Sequence, residues 1–312
     1  MKNVFLILIF IIAVPISAQE TPDTAKYEFG GFLQLNMNQL ALINWAKGGD
    51  QSISGVSRVN LFYNCKSKDY SWENNFDLGY GLMTSEEYPM RKTEDKIDLN
   101  SKFGKNAFEN FLYTVIFNFK SQFAPGYKYP DDTTMVSNLF SPAYVILSIG
   151  MDYQPGDDFS LYFSPISGKA IIVTDQQLAN RGAFGVEKAK LDTAGNVVVP
   201  GKNARFDFGW YLTAKLKKEI MEDVTIQSKL ELFNDYTAKD PGNRLNIDVD
   251  WETQFRLKVN DYISANILFH VIYDHDMIIP EYEIKDGEKV VVRQGPRTQF
   301  KEMIGVGFAY KF

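Results

Sequence analysis

The fold is decided by residues 245–259, which read LNIDVDWETQFRLKV. Apolar and polar side chains alternate along this stretch, and only Thr253 interrupts the apolar phase. Because successive side chains of a β-strand point to opposite faces, the stretch predicts a strand with one apolar face and one wholly polar face. A helix would scatter the same charges around its whole circumference.

The same alternation recurs along the chain. It is clearest in residues 33–38, 70–82, 205–216 and 304–312, and weaker versions start near Ile53, Asp95, Phe111, Ala143, Phe159, Val224 and Tyr262. We count about twelve strands, most of them near the roughly 9–11 residues that a tilted membrane strand needs. Beyond the N-terminal segment no run approaches 18 consecutive apolar residues, which excludes a helical membrane protein.

The connections between these strands alternate in length. The short ones are 66–69, 105–110, 154–158, 218–223 and 260–261, and the longer ones are 40–52, 83–94, 124–142, 174–204, 237–244 and 275–298. Outer-membrane barrels have short periplasmic turns on one rim and long external loops on the other. The fold class predicted is therefore all-β, a transmembrane up-and-down antiparallel β-barrel of about 12 strands, rather than a soluble sandwich or a lipocalin-like barrel.

Two of the long loops carry hairpin patterns of their own. Residues 282–292 read as a small hairpin around an Asp-Gly turn, and residues 191–199 read similarly. Strands are therefore expected to extend beyond the membrane on the external side.

The N-terminus has the layout of a secretory signal peptide. Lys2 supplies the positive start, residues 4–14 form an apolar run too short to span a bilayer, and Ile16-Ser17-Ala18 is a small-residue cleavage site. We predict a signal peptide over residues 1–18, a short periplasmic segment over 19–28 and a barrel over 29–312. The expected location is the outer membrane of a Gram-negative bacterium.

Composition excludes several other classes. The formal net charge of −6 becomes about −7 once Lys2 is removed, so the clustered basic charge that nucleic-acid binding requires is missing. Cys65 is the single cysteine, which leaves no internal disulfide and no thiolate metal cluster. Aromatic residues make up 14% of the chain, as an apolar face turned toward lipid would require.

In such a barrel the polar phase lines the lumen and the apolar phase faces lipid. The residues predicted to line the lumen are Arg58, Glu73, Asp77, Lys96, Asp98, Lys120, Arg205, Asp207, Lys229, Glu231, Asp248, Asp250, Glu252, Arg256 and His270. The aromatic residues predicted at the membrane interfaces are Tyr70, Trp72, Tyr80, Trp210, Trp251, Tyr310 and Phe312. The signs of the lumen charges nearly balance, so they can form a cross-barrel ion-pair network as readily as they can select a solute.

Two resemblances add to this interpretation. The C-terminal octet Gly305–Phe312 resembles the assembly signal of outer-membrane barrels, which implies recognition by the barrel-assembly machinery through Tyr310 and Phe312. Five segments resemble an uncharacterised family of exported, porin-like barrel proteins that is catalogued as a domain of unknown function. These segments are 44–49 (NWAKGG), 92–100 (KTEDKIDLN), 122–127 (QFAPGY), 151–155 (MDYQP) and 182–186 (GAFGV).

Catalytic chemistry has little support. His270 shares its phase with Ser264 and Asn266, the residue types of a hydrolase triad, but that phase faces the lumen whereas the triads of outer-membrane phospholipases face lipid. Residues 274–276 (DHD) could offer ligands to a divalent ion, yet three consecutive residues rarely converge on one metal. We therefore predict no catalytic residue, no metal and no cofactor.

Three functions from different classes remain. The first is a small passive pore or solute channel for polar molecules, with outer-membrane lipid around it. The second is a barrel that only anchors external loops with a binding or structural role. The third, a membrane-embedded lipid-modifying enzyme, is disfavoured by the phase of His270. If a passage exists, Gly305, Gly307 and Ala309 predict it beside the last strand, where side-chain bulk is smallest.

Overall fold

The computed structural model describes residues 25–40, 51–85, 88–129, 131–285 and 288–312. Strands dominate these segments. Their bounds are β1 Lys26–Leu40, β2 Ser52–Lys66, β3 Tyr70–Ser85, β4 Arg91–Phe108, β5 Phe111–Ser121, β6 Gly126–Tyr127, β7 Met135–Ser137, β8 Ala143–Tyr153, β9 Phe159–Ile172, β10 Lys190–Leu191, β11 Val197–Val199, β12 Ala204–Met221, β13 Val224–Asp235, β14 Asp248–Lys258, β15 Ile263–Tyr273, β16 Ile278–Lys285, β17 Glu288–Pro296 and β18 Gln299–Lys311.

Twelve of these strands close into a single barrel in the order β1-β18-β15-β14-β13-β12-β9-β8-β5-β4-β3-β2. Strands that follow one another in the barrel wall pair antiparallel, and β18 pairs with β1 to close the sheet. The predicted fold class and strand number are confirmed. Every strand of the closed sheet has a neighbour on both sides, although β1 and β18 pair over only part of their length.

Short turns join the strands on one rim, and their residue types explain their geometry. Asn110 (φ 61°) and Asp223 (φ 62°) adopt the left-handed conformation in the two-residue turns 109–110 and 222–223. Asn and Asp tolerate this conformation better than other non-glycine residues. In the turn after β14, the side chain of Asn260 accepts hydrogen bonds from the backbone N–H groups of Tyr262 and Ile263.

Longer loops leave the opposite rim, as the alternation of loop lengths predicted. Both predicted hairpins are confirmed, since β16 pairs with β17 and β10 pairs with β11. The connection predicted over 83–94 is shorter than expected, because β3 continues to Ser85 and β4 already begins at Arg91. The helix α1 (Gln176–Asn180) is a single short turn, and no helix in the described segments has the length and apolarity needed to cross a membrane.

Burial in this barrel is the reverse of that in a soluble protein. Polar side chains such as Asn36 (2% exposed) and Asn118 (1% exposed) point inward, whereas Phe206 and Phe308 (both 67% exposed) point outward. Two outward tryptophans donate their indole N–H groups to serines of adjacent strands, Trp72 to Ser101 and Trp251 to Ser228. An apolar solvent around the barrel would accept no such hydrogen bond, so protein hydroxyls satisfy both donors.

The predicted signal peptide over 1–18 lies outside the described residues, and so does the segment 44–49. The first strand starts at Lys26, three residues before the predicted start of the barrel at Phe29.

Candidate functional site: the barrel lumen

All the residues predicted to line the lumen, from Arg58 to His270, lie on the inward phase of their strands. The register shows this directly, because Glu252 of β14 lies between Lys229 of β13 and His270 of β15 on one face of the sheet. Several of these side chains also contact side chains of strands that are not neighbours in the wall. Such contacts are possible only across the interior, so these side chains point into the lumen. The lumen is therefore the candidate site.

Three carboxylates on the inward phase of β14 form what we call the acidic ladder: Asp248, Asp250 and Glu252. A lysine from a strand that does not neighbour β14 meets each of them. Lys169 of β9 lies 2.8 Å from Asp248, Lys120 of β5 lies 2.9 Å from Asp250, and Lys96 of β4 lies 3.4 Å from Glu252. The three pairs form rungs that reach from β14 to strands three, five and six places away around the wall, and only the last rung joins opposite walls.

The last rung fixes the shape of the barrel at its level, because β4 and β14 are six strands apart in either direction around the wall. A circular barrel of twelve strands would hold opposite backbones about 24 Å apart. A lysine and a glutamate joined by an ion pair reach across only about 15 Å. The barrel is therefore oval here, with β4 and β14 facing each other across the short axis.

Further polar groups continue the ladder into one hydrogen-bonded network. Nε2 of His270 lies 2.8 Å from Oδ1 of Asp250. Glu231 of β13 binds the ammonium groups of Lys120 and Lys229, and it also accepts a hydrogen bond from the hydroxyl of Tyr211. Polar side chains from five strands, β5, β12, β13, β14 and β15, are thus linked in the middle of the barrel.

A second cluster lies nearer the short turns. The ammonium group of Lys102 contacts Asp152 at 2.8 Å and Glu73 at 3.1 Å, and the side chains of Lys102 and Asp152 are only 4% and 1% exposed. The amide of Gln154 also donates to Asp152 at 2.7 Å. A cavity of about 490 Å³ adjoins this cluster and is lined by Gln154, Ser71, Leu112 and the turns after β2 and β4.

Apolar side chains fill part of the lumen. Ile116, Tyr162, Tyr211 and Phe233 form a buried cluster that projects inward from β5, β9, β12 and β13. Accessible space remains beside the last rung, where the side chains of Lys96 and Glu252 are 35% and 34% exposed. The predicted passage beside Gly305 is partly filled, since a Cβ at that position would lie 3.4 Å from Asn36.

At the long-loop mouth, Arg205 joins the barrel to two loops. Its guanidinium contacts Asp207 and Asp276 at 2.7 Å each, and it donates to the carbonyl of Gly185 at 3.3 Å. Burial raises the pKa of Asp274, which follows the end of β15, and Lys169 only partly opposes this shift. Arg205 thus holds the loops 173–203 and 274–298 together over this mouth.

The loop 173–203 has a small core of its own, formed by Val173, Leu178, Ala179 and Val186. Asp175 caps α1 by accepting hydrogen bonds from the backbone N–H groups of Gln177 and Leu178. Burial alone would raise its pKa, but these hydrogen bonds and one from Asn138 hold the pKa of Asp175 below its usual value.

We expect Asp175→Ala to loosen this loop, because losing an N-cap costs about 0.5–2 kcal/mol. Cleavage by trypsin at Arg181 or Lys188 should accelerate by roughly fivefold, which corresponds to about 1 kcal/mol. In the native chain the contribution of Asp175 is fully present above its unfolded pKa and is lost as the pH falls through the lower folded pKa. Asp175→Asn keeps the cap and should resist trypsin at neutral pH as the native chain does. Equal cleavage of the alanine and asparagine variants would contradict the prediction.

The triad suggested by the sequence is not assembled. Ser264 accepts a hydrogen bond from Asn266 at 3.1 Å, whereas His270 contacts Asp250. Asp276 of the segment 274–276 pairs with Arg205, and the ring of His275 lies 3.3 Å from the hydroxyl of Tyr273. Within the described segments no group of three or more His, Cys, Asp or Glu side chains is arranged to hold a metal ion.

The aromatic residues predicted at the interfaces all lie on the outward phase. Trp72, Trp251 and Tyr310 are 43%, 49% and 56% exposed, and the rings of Tyr310 and Phe312 stack at 6.2 Å. Their depth relative to a membrane stays a prediction.

The structure adds lumen residues that the sequence did not predict: Glu94, Lys169, Tyr211 and Lys301. The sequence could have revealed Glu94, because it shares one phase of β4 with Lys96 and Asp98. Lys169 lies beyond a register shift in β9 near Pro165, which changes the phase within the strand. Glu302 stands on the outward phase of β18 and obscures the alternation beside Lys301.

One segment of this chain matches a known protein family. Residues 37–127 match the family model "Protein of unknown function (DUF3078)". The resemblance to a family of unknown function is thus confirmed over that segment. The matched segment runs from β1 to β6 and contains Lys96 and Lys120, which pair with carboxylates of the acidic ladder. The ladder carboxylates themselves lie outside this segment. No curated protein matches the sequence.

Several solved outer-membrane structures are similar to this barrel. The COG4313 outer membrane channel from Pseudomonas putida F1 shares 11% identity over 96% of this chain and 99% of that one, with a TM-score of 0.38. The translocator domain of autotransporter NalP from Neisseria meningitidis shares 10% over 94% and 90%, with a TM-score of 0.35. The outer membrane channel DcaP of Acinetobacter baumannii shares 8% over 92% and 97%, with a TM-score of 0.33. Similarity this remote carries no functional argument.

Proposed function

We propose that this chain is an exported outer-membrane β-barrel that forms a narrow, water-filled channel for small polar solutes. Its location is supported by the apolar, exposed outward face and by the polar interior, since a closed barrel can bury such a face only in lipid. The long loops would then lie outside the cell and the short turns in the periplasm.

The main support for a channel is that side chains of the last rung remain partly exposed. Lys96 and Glu252 join opposite walls, yet about a third of each side chain is exposed. Side chains that cross a lumen and still contact open space restrict a passage without filling it. The ladder and its lysines are thus the constriction, and only small ions and small polar molecules would fit beside them.

Two partners follow from the same proposal. Outer-membrane lipid would cover the outward apolar residues. The barrel-assembly machinery would recognise the last strand through Tyr310 and Phe312, whose stacked rings stand exposed at its end. No catalytic step belongs to this proposal.

The test is single-channel recording in a planar bilayer. The native barrel should give small, discrete conductance steps in KCl. The double variant Lys96→Ala with Glu252→Ala should raise the conductance by about two- to fivefold, because it widens the narrowest cross-section and leaves neither charge of the rung unpaired.

A matched control removes another lysine–carboxylate pair, Lys66→Ala with Asp157→Ala. This pair lies on the turn rim with its side chains 71% and 94% exposed, so its loss should leave the conductance unchanged. A folded barrel that stays electrically silent in the native and the Lys96/Glu252 forms would exclude a channel.

A further inference from the structure

The barrel wall is incompletely paired at its closing seam. The strands β1 and β18 pair only from Phe32↔Lys311 to Asn36↔Gly307, and Gly31 adds backbone hydrogen bonds with Phe312. On its other side β1 pairs with β2 over its whole length, up to Leu40↔Ser52. Across the seam the described residues Met37–Leu40 have no partner in β18.

The long-loop half of this seam lacks backbone pairing between β1 and β18, and we call this unpaired stretch the opening. If the register continued, Asn38 would face Gly305, and Met37 would face Val306. Asn38 shares the inward phase of Asn36, yet Asn38 is exposed whereas Asn36 is 2% exposed. The exposed side chain of Asn38 therefore lies beside the unpaired stretch.

An unpaired strand edge inside an apolar layer is costly, because its N–H and C=O groups find no partner in lipid. The outward residues beside the opening are apolar, with Met37, Ile304 and Val306 at 60%, 61% and 56% exposure. The opening is therefore apolar on its outer side, and its backbone groups require polar partners from the lumen side.

Just inside the opening, two cations share one carboxylate. Glu94 of β4 accepts from Arg58 at 3.1 Å and also binds the ammonium group of Lys301 of β18. Lys301 keeps 41% of its side chain exposed. The group carries one excess positive charge, which favours a negatively charged ligand.

We propose that this opening is a lateral portal that admits an anionic, single-chain amphiphile. Its charged head would lie in the lumen near Lys301 and Arg58, and its apolar chain would pass between Met37 and Val306 into the membrane. The inference rests on the membrane location proposed above, but it does not require that the channel conducts ions.

The test uses single cysteines in a Cys65→Ser background, each labelled with the fluorophore bimane, in vesicles that contain a doxyl-labelled fatty acid. The quencher should reduce the fluorescence of the label at Asn38→Cys by at least about half of the reduction at the outward Met37→Cys. It should leave Asn36→Cys largely unquenched, because that position faces the same lumen behind a paired wall.

The controls separate the possible failures. If Met37→Cys is not quenched, the proposed membrane location is wrong. If Met37→Cys is quenched and Asn38→Cys is quenched no more than Asn36→Cys, the portal is wrong. If a doxyl-labelled phosphatidylcholine quenches Asn38→Cys as strongly as the fatty acid does, or if Lys301→Gln does not weaken quenching by the fatty acid, the anionic preference is wrong.

Hydrogen exchange on the native barrel gives a second measurement. It needs no substitution, so a variant that fails to fold cannot affect it. Peptides that cover Met37–Leu40 should exchange faster than peptides that cover Phe32–Asn36, because only the latter bond to β18. Equal protection of the two segments would overturn the portal.

Discussion

Replacing Lys102 by methionine is expected to lower the free energy of unfolding by about 3–5 kcal/mol, the usual cost of removing one partner from a buried ion pair. The change leaves the carboxylate of Asp152 charged and 1% exposed, with only Gln154 donating to Oδ2 from the described side chains. Oδ1 of Asp152 already has no hydrogen-bond partner among them. Urea unfolding in lipid vesicles, followed by tryptophan fluorescence, measures the loss.

Two further variants test the cause. Lys105→Met lies three residues along β4 on the outward phase, where the lysine is exposed, so it should change the stability by less than about 0.5 kcal/mol. Adding Asp152→Asn to Lys102→Met should restore most of the stability, because the buried charge is then removed as well. The interpretation fails if Lys105→Met costs as much as Lys102→Met, or if the double variant recovers nothing.

The second large effect is expected at Gly307, which ends the paired part of the closing seam. A Cβ there would lie 2.1 Å from the carbonyl oxygen of Leu35 and 2.3 Å from Oδ1 of Asn36. Gly307→Val must therefore push β1 away from β18, at a cost of about 3 kcal/mol or more, the upper end of the range for overpacking. Because few pairs close this seam, we expect most of the protein to lose the compact band of a folded barrel on unheated SDS gels.

Gly55→Val is the matched control. A Cβ at Gly55 has Asn36 O as its closest neighbour, at 3.8 Å, and a β-branched residue suits a strand. This variant should fold like the native chain. Equal folded fractions for Gly307→Val and Gly55→Val would show that the seam tolerates a side chain at Gly307.

The sequence predicted the barrel because its signals are local. A period of two residues marks each strand, and alternating loop lengths mark the two rims, so both can be recognised without knowing which strands meet. The three carboxylates of the acidic ladder were visible in the same way, since Asp248, Asp250 and Glu252 follow one another on one phase.

The pairing across the lumen could not be predicted in this way. Lys96 and Glu252 are 156 residues apart and lie on opposite walls, so no short-range pattern relates them. The shift of phase in β9 depends on a bulge that one strand alone does not reveal, and Lys169 was missed for that reason. The short register of the closing seam depends likewise on how β1 and β18 meet after the wall is complete.

The acidic ladder also has a mechanical consequence. The number of strands fixes the perimeter of the wall, but a closed loop of fixed perimeter can enclose a round or a flattened area. The ion pair between Lys96 and Glu252 joins β4 to β14 across the short axis and holds the wall in its flattened form. The aperture of this barrel is therefore set by the reach of a few side chains, so a change of one methylene in a rung can alter its width while the strand count stays the same.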